Sequence, residues 1–228
     1  MLSKAKQQLV RSLHRKKGRV DSGLCLVEGT KVIETAHAAV LWTFTRNDTD
    51  QFDALVTTDT PQDIAGVATV PTWRREHVLS RNTIVVLDGV QDPGNVGAIL
   101  RLCLGFDASL VLIESVDVTS PKVIRASAGA MFLVPWMVVP RKDAVEFILT
   151  AHYPVYRLES PTKNSKKAVL PKRRQGTLTK SRMLIAGSEG RGIQLDIPGE
   201  TLTIAHNPKL ESLNVGHALA IVLARGWR

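Results

Sequence analysis

Only two cysteines, Cys25 and Cys103, occur in the 228 residues, and neither has a second cysteine or a histidine at metal-ligand spacing. That excludes a disulfide framework and gives no metal site; a buried free thiol in an apolar stretch is the expected fate of each. A reducing cytosol is the setting this implies. Long apolar runs are missing as well. Ile84 to Leu87 and Ser109 to Ile113 are far too short to span a bilayer, and Met1 to Lys4 has no signal-type apolar core. The expectation is a soluble cytoplasmic protein with no membrane partner.

Acids are missing where the charge is concentrated. The formal charge is +9, and residues 1–19 hold Lys4, Lys6, Arg11, Arg15, Lys16, Lys17 and Arg19 without one carboxylate. Residues 159–182 hold Lys163, Lys166, Lys167, Lys172, Arg173, Arg174, Lys180 and Arg182 against Glu159 alone. Such an excess attracts polyanions, although solvated basic faces would account for it equally well. Aromatic residues, 5% of the chain, are absent from both stretches, so base stacking on a single strand is not indicated.

What is present is an alternation of apolar strands and helices, and the 44% hydrophobic content is enough for ordinary cores. The first basic stretch reads as a helix, Leu24 to Val27 as a strand, and Thr30 as the N-cap of a helix reaching about Val40. Short β pieces are expected at Leu41 to Phe44, Ala54 to Thr57 and Val67 to Val70, with a helix started by Thr60-Pro61. A polar segment, Arg74 to Asn82, closes this unit, which gives domains of 1–76 and 77–228.

From Thr83 the expected strands are Ile84 to Leu87, Leu110 to Ile113, Leu133 to Val138, Val155 to Leu158, Met183 to Ile185 and Leu202 to Ile204. Helices are expected at Asn95 to Leu104, Pro121 to Ser127, Lys142 to Thr150 and Asn214 to Arg225. Uniformly apolar strands spaced by helices imply a parallel sheet covered on both faces, an α/β fold. Glu159 to Arg182 has no period and reads as a long loop.

Three clusters carry the chemistry. Leu87-Asp88-Gly89-Val90-Gln91-Asp92-Pro93-Gly94-Asn95-Val96-Gly97-Ala98-Ile99-Leu100-Arg101 follows a strand and opens a helix, where α/β sheets bind ligands. Its glycines do not have dinucleotide spacing, which argues against a nucleotide-dependent oxidoreductase. Asn95 reads as a natural N-cap, and Arg101 is a guanidinium on an otherwise apolar helix that needs an anion or a route to water. The second cluster, Gly187-Ser188-Glu189-Gly190-Arg191-Gly192, permits a turn close to a ligand. The third, Leu210-Glu211-Ser212-Leu213-Asn214-Val215-Gly216-His217, offers Ser212 or Asn214 as a helix cap.

In this order the clusters resemble the SpoU (TrmH-like) family of RNA ribose 2′-O-methyltransferases, over about Thr83 to the C-terminus. Asp92-Pro93 with Asn95, Gly97, Ile99 and Arg101 matches the first family motif. Gly187 to Gly192 matches the second and Glu211-Ser212-Leu213-Asn214-Val215 the third. Leu26-Val27-Glu28-Gly29 is similar to a phrase of the L30e-like substrate-binding domain that many members carry.

The resemblance implies a parallel α/β sheet with a C-terminal deep trefoil knot of the SPOUT type, preceded by a small α/β L30e-like RNA-binding domain. It further implies a homodimer, S-adenosyl-L-methionine as cofactor, and RNA, rRNA foremost, as substrate. Asn95, Arg101, Glu189, Ser212 and Asn214 are then the catalytic set, with Gly187, Ile204 and Leu213 binding the cofactor and no metal. Where the family commonly has Ile-Pro-Met, this chain has Ile204-Ala205-His206, which leaves His206 facing either cofactor or solvent. A tRNA 2′-O-methyltransferase and a non-catalytic RNA-binding assembly factor are the competing readings.

Overall fold

A computed structural model describes residues 1–160, 180–207 and 209–226. In chain order these form α1 (Lys4–Leu13), α2 (Lys16–Ser22), β1 (Leu24–Glu28), α3 (Thr30–Ala36), β2 (Val40–Thr45), α4 (Phe52–Leu55), β3 (Ile64–Thr69) and α5 (Arg75–Leu79). There follow β4 (Thr83–Asp88), α6 (Pro93–Gly105), β5 (Ala108–Ile113), α7 (Pro121–Ala126), β6 (Trp136–Val138), α8 (Arg141–Thr150), β7 (Val155–Leu158), β8 (Arg182–Gly187), β9 (Glu200–Leu202) and α9 (Val215–Gly226). No helix among the described residues is long and apolar enough to cross a membrane.

The chain divides into two compact units. The first comprises Met1–Thr72 with two later segments, Val96–Arg101 and Asp117–Leu133. Its sheet is antiparallel, in the order β1-β3-β2. Val10, Leu13, Leu26, Phe44, Phe52 and Leu55 fill its core, each fully buried aliphatic side chain being worth roughly 1.5–3 kcal/mol. Polar links tie its first segment to Asp117–Leu133. Buried Arg19 donates to Asp117 at 2.5 Å, to Thr119 at 3.1 Å and to the Leu13 carbonyl at 2.7 Å. Glu28, its side chain 4% exposed, pairs with Arg125 and accepts from the Thr57 amide at 2.6 Å. Arg19 is therefore spent on structure, while Lys4, Lys6, Arg11, Arg15, Lys16 and Lys17 remain exposed.

Several local expectations are corrected. The N-terminal basic stretch is two helices, not one, broken at His14-Arg15. Thr60-Pro61 starts no helix: the segment leads directly into β3, and the Gln62 carboxamide oxygen instead accepts the Thr30 amide at 2.8 Å. Phe52 to Leu55 forms a helical turn where Ala54 to Thr57 reads as a strand, because Phe52 and Leu55, three apart, both point into the core. Gly29 rather than Thr30 stands at the N-cap of α3, which ends at Ala36 and continues as a 3-10 turn over His37–Ala39, so the helical segment reaches β2 at Val40 as read. The polar segment after Thr72 contains α5, whose Val78 is fully buried. Leu133 lies before β6, just after a 3-10 turn over Ala130–Phe132.

The second unit, Trp73–Asn95, Leu102–Val116 and Val134–Arg228, holds a six-stranded sheet in the order β6-β5-β4-β8-β7-β9. All its pairings are parallel. β4 and β5 are buried at every position, as strands covered on both faces must be. Ile84, Val86, Val111, Ile113, Met183 and Ile185 face Phe147 and Ile148 of α8 in one core. The strand read as Leu202 to Ile204 is shifted to Glu200–Leu202, which frees Ile204 for the loop beyond. The basic loop's cations from Lys163 to Arg174 lie outside the described residues.

Burial pushes the thiols of Cys25 and Cys103 up to about 12, Cys25 with opposing effects from Arg19 and Asp117. Thiolate is the reactive form. Neither cysteine should alkylate with iodoacetamide in the native state near neutral pH, and both should after unfolding, as mass spectrometry would read. The stability they lend is complete below the ordinary thiol value of about 8.5 and is lost as the pH rises toward about 12, because the unfolded chain releases those protons first.

Candidate active site

The C-terminal ends of β4 and β8 lie side by side, Asp88 in register with Gly187, and the loops leaving them build the site. Such strand ends are where open α/β sheets place ligands. After β8 the chain turns back sharply: the Gly192 amide donates to the Ser188 carbonyl at 2.8 Å, and Gly192 adopts φ +64°. The turn closes directly onto Gly187. A Cβ there would lie 2.0 Å from the Gly192 carbonyl carbon and 2.3 Å from the Ile193 nitrogen, so no other residue fits without moving backbone.

α6 begins with a cap that corrects the expectation for Asn95. Pro93 has no amide to offer and sits in the first helical turn, so the capping role falls to the residue before it. Asp92 caps, its carboxylate accepting the Asn95 amide at 2.7 Å. Asn95 lies inside the helix with its side chain free for other work. Gly97 serves packing. A Cβ at that position would stand 2.3 Å from that of Ala126, so its absence lets α6 lie against the end of α7.

The three motifs meet at one carboxylate. Glu189 Oε1 accepts from Asn95 Nδ2 at 3.1 Å and from Asn214 Nδ2 at 2.9 Å, and Asn214 Nδ2 also donates to Asn95 Oδ1 at 2.8 Å. Asn214 additionally caps α9, its Oδ1 accepting the amides of Gly216 at 3.0 Å and His217 at 3.3 Å. One asparagine thus starts the last helix and holds the glycine turn.

Beside this cluster opens a cleft of about 460 Å³, within the range of small-molecule sites. Its floor and walls are apolar, from Leu158, Ala186, Leu202, Ile204, Leu213 and Val215, and its rim is the Gly187–Ile193 turn with Ser212 and His206. All three expected cofactor positions, Gly187, Ile204 and Leu213, line it, as do Glu189 and Ser212. His206 is fastened to its own loop: Nδ1 lies 2.7 Å from the Ile204 carbonyl and Nε2 3.1 Å from that of Leu210. His217 is exposed on α9.

Arg101 is not part of the hydrogen-bonded cluster. It is exposed on α6, and its guanidinium makes no hydrogen bond or ion pair to any described residue. An unspent cation on an apolar helix is available to an external anion.

One group escapes the sequence motifs. Asp88 is fully buried, receives Arg141 at 2.6 Å, and accepts the amides of Gln194 and Leu195 at 2.6 and 2.9 Å. Arg141 also donates to Glu114 at 2.5 Å, and hydrogen bonds to Glu114 and Asp88 hold its proton more tightly than usual. The available signal is an acid directly after the apolar run Ile84 to Leu87, a position that demands compensation.

The SpoU rRNA Methylase family model matches residues 82–224. The chain belongs to that family. Among similar proteins, the 23S rRNA (guanosine(2553)-2'-O)-methyltransferase RlmP of Bacillus subtilis is 27% identical over 250 residues, covering 97% of each chain. The 23S rRNA (adenosine(1067)-2'-O)-methyltransferase of Streptomyces azureus is 31% identical over 166 residues, covering 69% of this chain and 60% of that one. A TrmH-family structure from Porphyromonas gingivalis superimposes with a TM-score of 0.80 at 31% identity, over 100% of this chain and 99% of that one. The AdoMet-bound rRNA methyltransferase of Sinorhizobium meliloti shares the fold, with a TM-score of 0.81 at 20% identity over 99% and 96% of the two chains. The SpoU match covers the parallel sheet, the glycine turn and the three motif segments that meet at Glu189.

Proposed function

We propose that this protein methylates a ribose 2′-hydroxyl of ribosomal RNA, using S-adenosyl-L-methionine. The observation that carries the reading is the meeting of Asn95 and Asn214 with Glu189, three residues from separate motifs, where Glu189 lines a largely apolar cleft. The lining fits the cofactor. Apolar walls suit an adenine, backbone groups of irregular segments around Gly187, Ile204 and Leu213 can read its edge, and the Glu189 carboxylate suits a cationic ligand. When bound, the cofactor supplies an electrophilic methyl group on a sulfonium.

The chain's own residues then have defined roles. Gly187, Ile204 and Leu213 bind the cofactor. Asn95 and Asn214 orient Glu189, and Ser212 offers a hydroxyl to the ribose or the cofactor's amino-acid end. Since a guanidinium stays protonated, Arg101 grips the phosphate beside the target ribose and stabilises negative charge developing on the 2′-oxygen as its proton leaves to water. Alignment of the two reacting groups supplies most of the remaining acceleration. The exposed cations of α1 and α2 serve the RNA backbone, within an L30e-like substrate-binding domain at 1–76 ahead of a methyltransferase domain at 77–228. From the family resemblance we adopt a deep trefoil knot in the C-terminal segment and a homodimeric, cytoplasmic enzyme.

The test is transfer of a labelled methyl from S-adenosylmethionine to rRNA and tRNA in parallel, followed by mapping of 2′-O-methyl sites. Label on rRNA ribose is expected. Label confined to tRNA would favour the tRNA reading, and absence of heat on titrating S-adenosylmethionine would leave a non-catalytic RNA-binding factor.

A further inference from the structure

We infer that Asp88 is a positioning residue for the cofactor: it clasps both ends of the glycine turn that forms the rim of the cleft, and it is itself locked by Arg141. The inference rests on the methyltransferase reading above and adds residues that lie outside the family-motif set taken from the sequence.

At the near end of the turn, the Asp88 carbonyl accepts the Ser188 amide at 3.2 Å. At the far end, Asp88 Oδ2 accepts the amides of Gln194 at 2.6 Å and Leu195 at 2.9 Å. A single residue at the end of a central strand thereby fixes where the turn leaves the sheet and where it returns. Between those two points the turn carries Glu189, which Asn95 and Asn214 hold in addition. Oδ1 receives Arg141 Nη2 at 2.6 Å, and Arg141 Nε is held in turn by Glu114 at 2.5 Å. The Asp88 side chain is 0% exposed, whereas those of Arg141 and Glu114 are 32% and 59% exposed. The clasp is therefore buried and its lock reaches solvent.

A carboxylate is required at this point. Three donors converge on its two oxygens, and charge-assisted bonds are the stronger kind. Asparagine matches the shape but not the pattern. With its oxygen toward the two amides, its NH₂ faces the Arg141 guanidinium, donor against donor; flipped, it abandons both amides. Either the lock or the far end of the clasp is lost, and a buried donor is left unpaired.

The experiment is calorimetric titration of S-adenosylmethionine into the full-length protein, with thermal midpoints measured on the same samples. Asp88→Asn is expected to raise the Kd at least about tenfold, roughly 1.4 kcal/mol, at a temperature where the variant is folded. A purely structural residue would lower the midpoint and leave the Kd of the folded protein unchanged; that result overturns the inference. Adding Arg141→Gln should recover affinity relative to Asp88→Asn alone, because the glutamine oxygen accepts the asparagine NH₂ that the guanidinium repels, a coupling a double-mutant cycle isolates. If Asp88→Asn does not fold, Arg141→Gln alone tests the lock from its partly exposed side. Several-fold weaker binding is expected, and wild-type affinity there overturns the proposal. Failure of the wild-type protein to bind S-adenosylmethionine would count against the methyltransferase reading itself.

Discussion

Arg101→Ala should lower methyl transfer by on the order of 10³-fold while changing S-adenosylmethionine affinity less than about twofold and leaving RNA binding measurable. The magnitude follows from the proposed role, a preorganised donor that meets charge only as the transition state forms. The selectivity follows from the structure. Arg101 is exposed and bonded to no described residue, so its loss leaves no buried group orphaned and should not disturb the fold. Single-turnover transfer from labelled cofactor, beside calorimetric binding of cofactor and filter binding of RNA, separates the contributions. Arg101→Lys should recover only part of the rate, because an ammonium keeps the charge without the planar fork that grips a phosphate at two points. Full turnover by the alanine variant would remove Arg101 from the mechanism.

Gly187→Ala should be nearly as damaging by a different route. The new methyl group would meet Gly192 backbone at 2.0 and 2.1 Å and the Ile193 nitrogen at 2.3 Å, well inside the roughly 3.5–4.0 Å of an ordinary carbon contact. Those neighbours are main chain and cannot rotate aside. The turn must lift by on the order of 1 Å, carrying Glu189 away from the Asn95 and Asn214 carboxamides. Loss of cofactor affinity of about 100-fold, roughly 2.7 kcal/mol, is expected by calorimetry, with a lower thermal midpoint. Gly190→Ala is the matched control, since a Cβ at Gly190 meets nothing within 4 Å, and it should bind cofactor within about twofold of wild type. Equal affinity for the Gly187 and Gly190 variants would show that closure of the turn does not shape the cleft.

Much of the second unit is legible in the sequence because its central strands β4, β5 and β8 are buried on both faces and announce themselves as largely apolar runs. β4 and β5 extend only a residue or two beyond the segments read from Ile84 and Leu110. The first unit is harder, since its short elements are decided by packing. Phe52 and Leu55 make a helical turn because both reach the same core, a fact that a four-residue window cannot distinguish from a strand. Thr60-Pro61 has the composition of a helix start, but β3 begins at Ile64 and leaves no room for one.

Within the site, the motif residues Asn95, Glu189 and Asn214 are found by resemblance, yet their mutual bonds are not visible at separations of 94, 25 and 119 residues. Asn95 resembles a cap in isolation and is displaced from that duty by Asp92-Pro93. Arg19 reads as one more member of a basic patch; only its burial against Asp117 separates it from the cations available to RNA. Asp88 sits within the first cluster in plain view, four residues before the matched motif begins. Its partners are a helix N-terminus and a loop more than a hundred residues away, so nothing in its neighbourhood reveals its role.

β4 and β8 pair side by side from Thr83↔Arg182 to Asp88↔Gly187, and this bears on how the molecule assembles. The loop closed by that pairing is far longer than any hairpin, and contacts so remote along the chain are slow to form. A growing polypeptide can complete its N-terminal antiparallel sheet early, while its central parallel strand waits unpaired on one side for a late arrival. The candidate cleft is thus a last product of synthesis, and an isolated piece ending before α9 would carry the signature motif of its first half without the partners it meets in the folded chain.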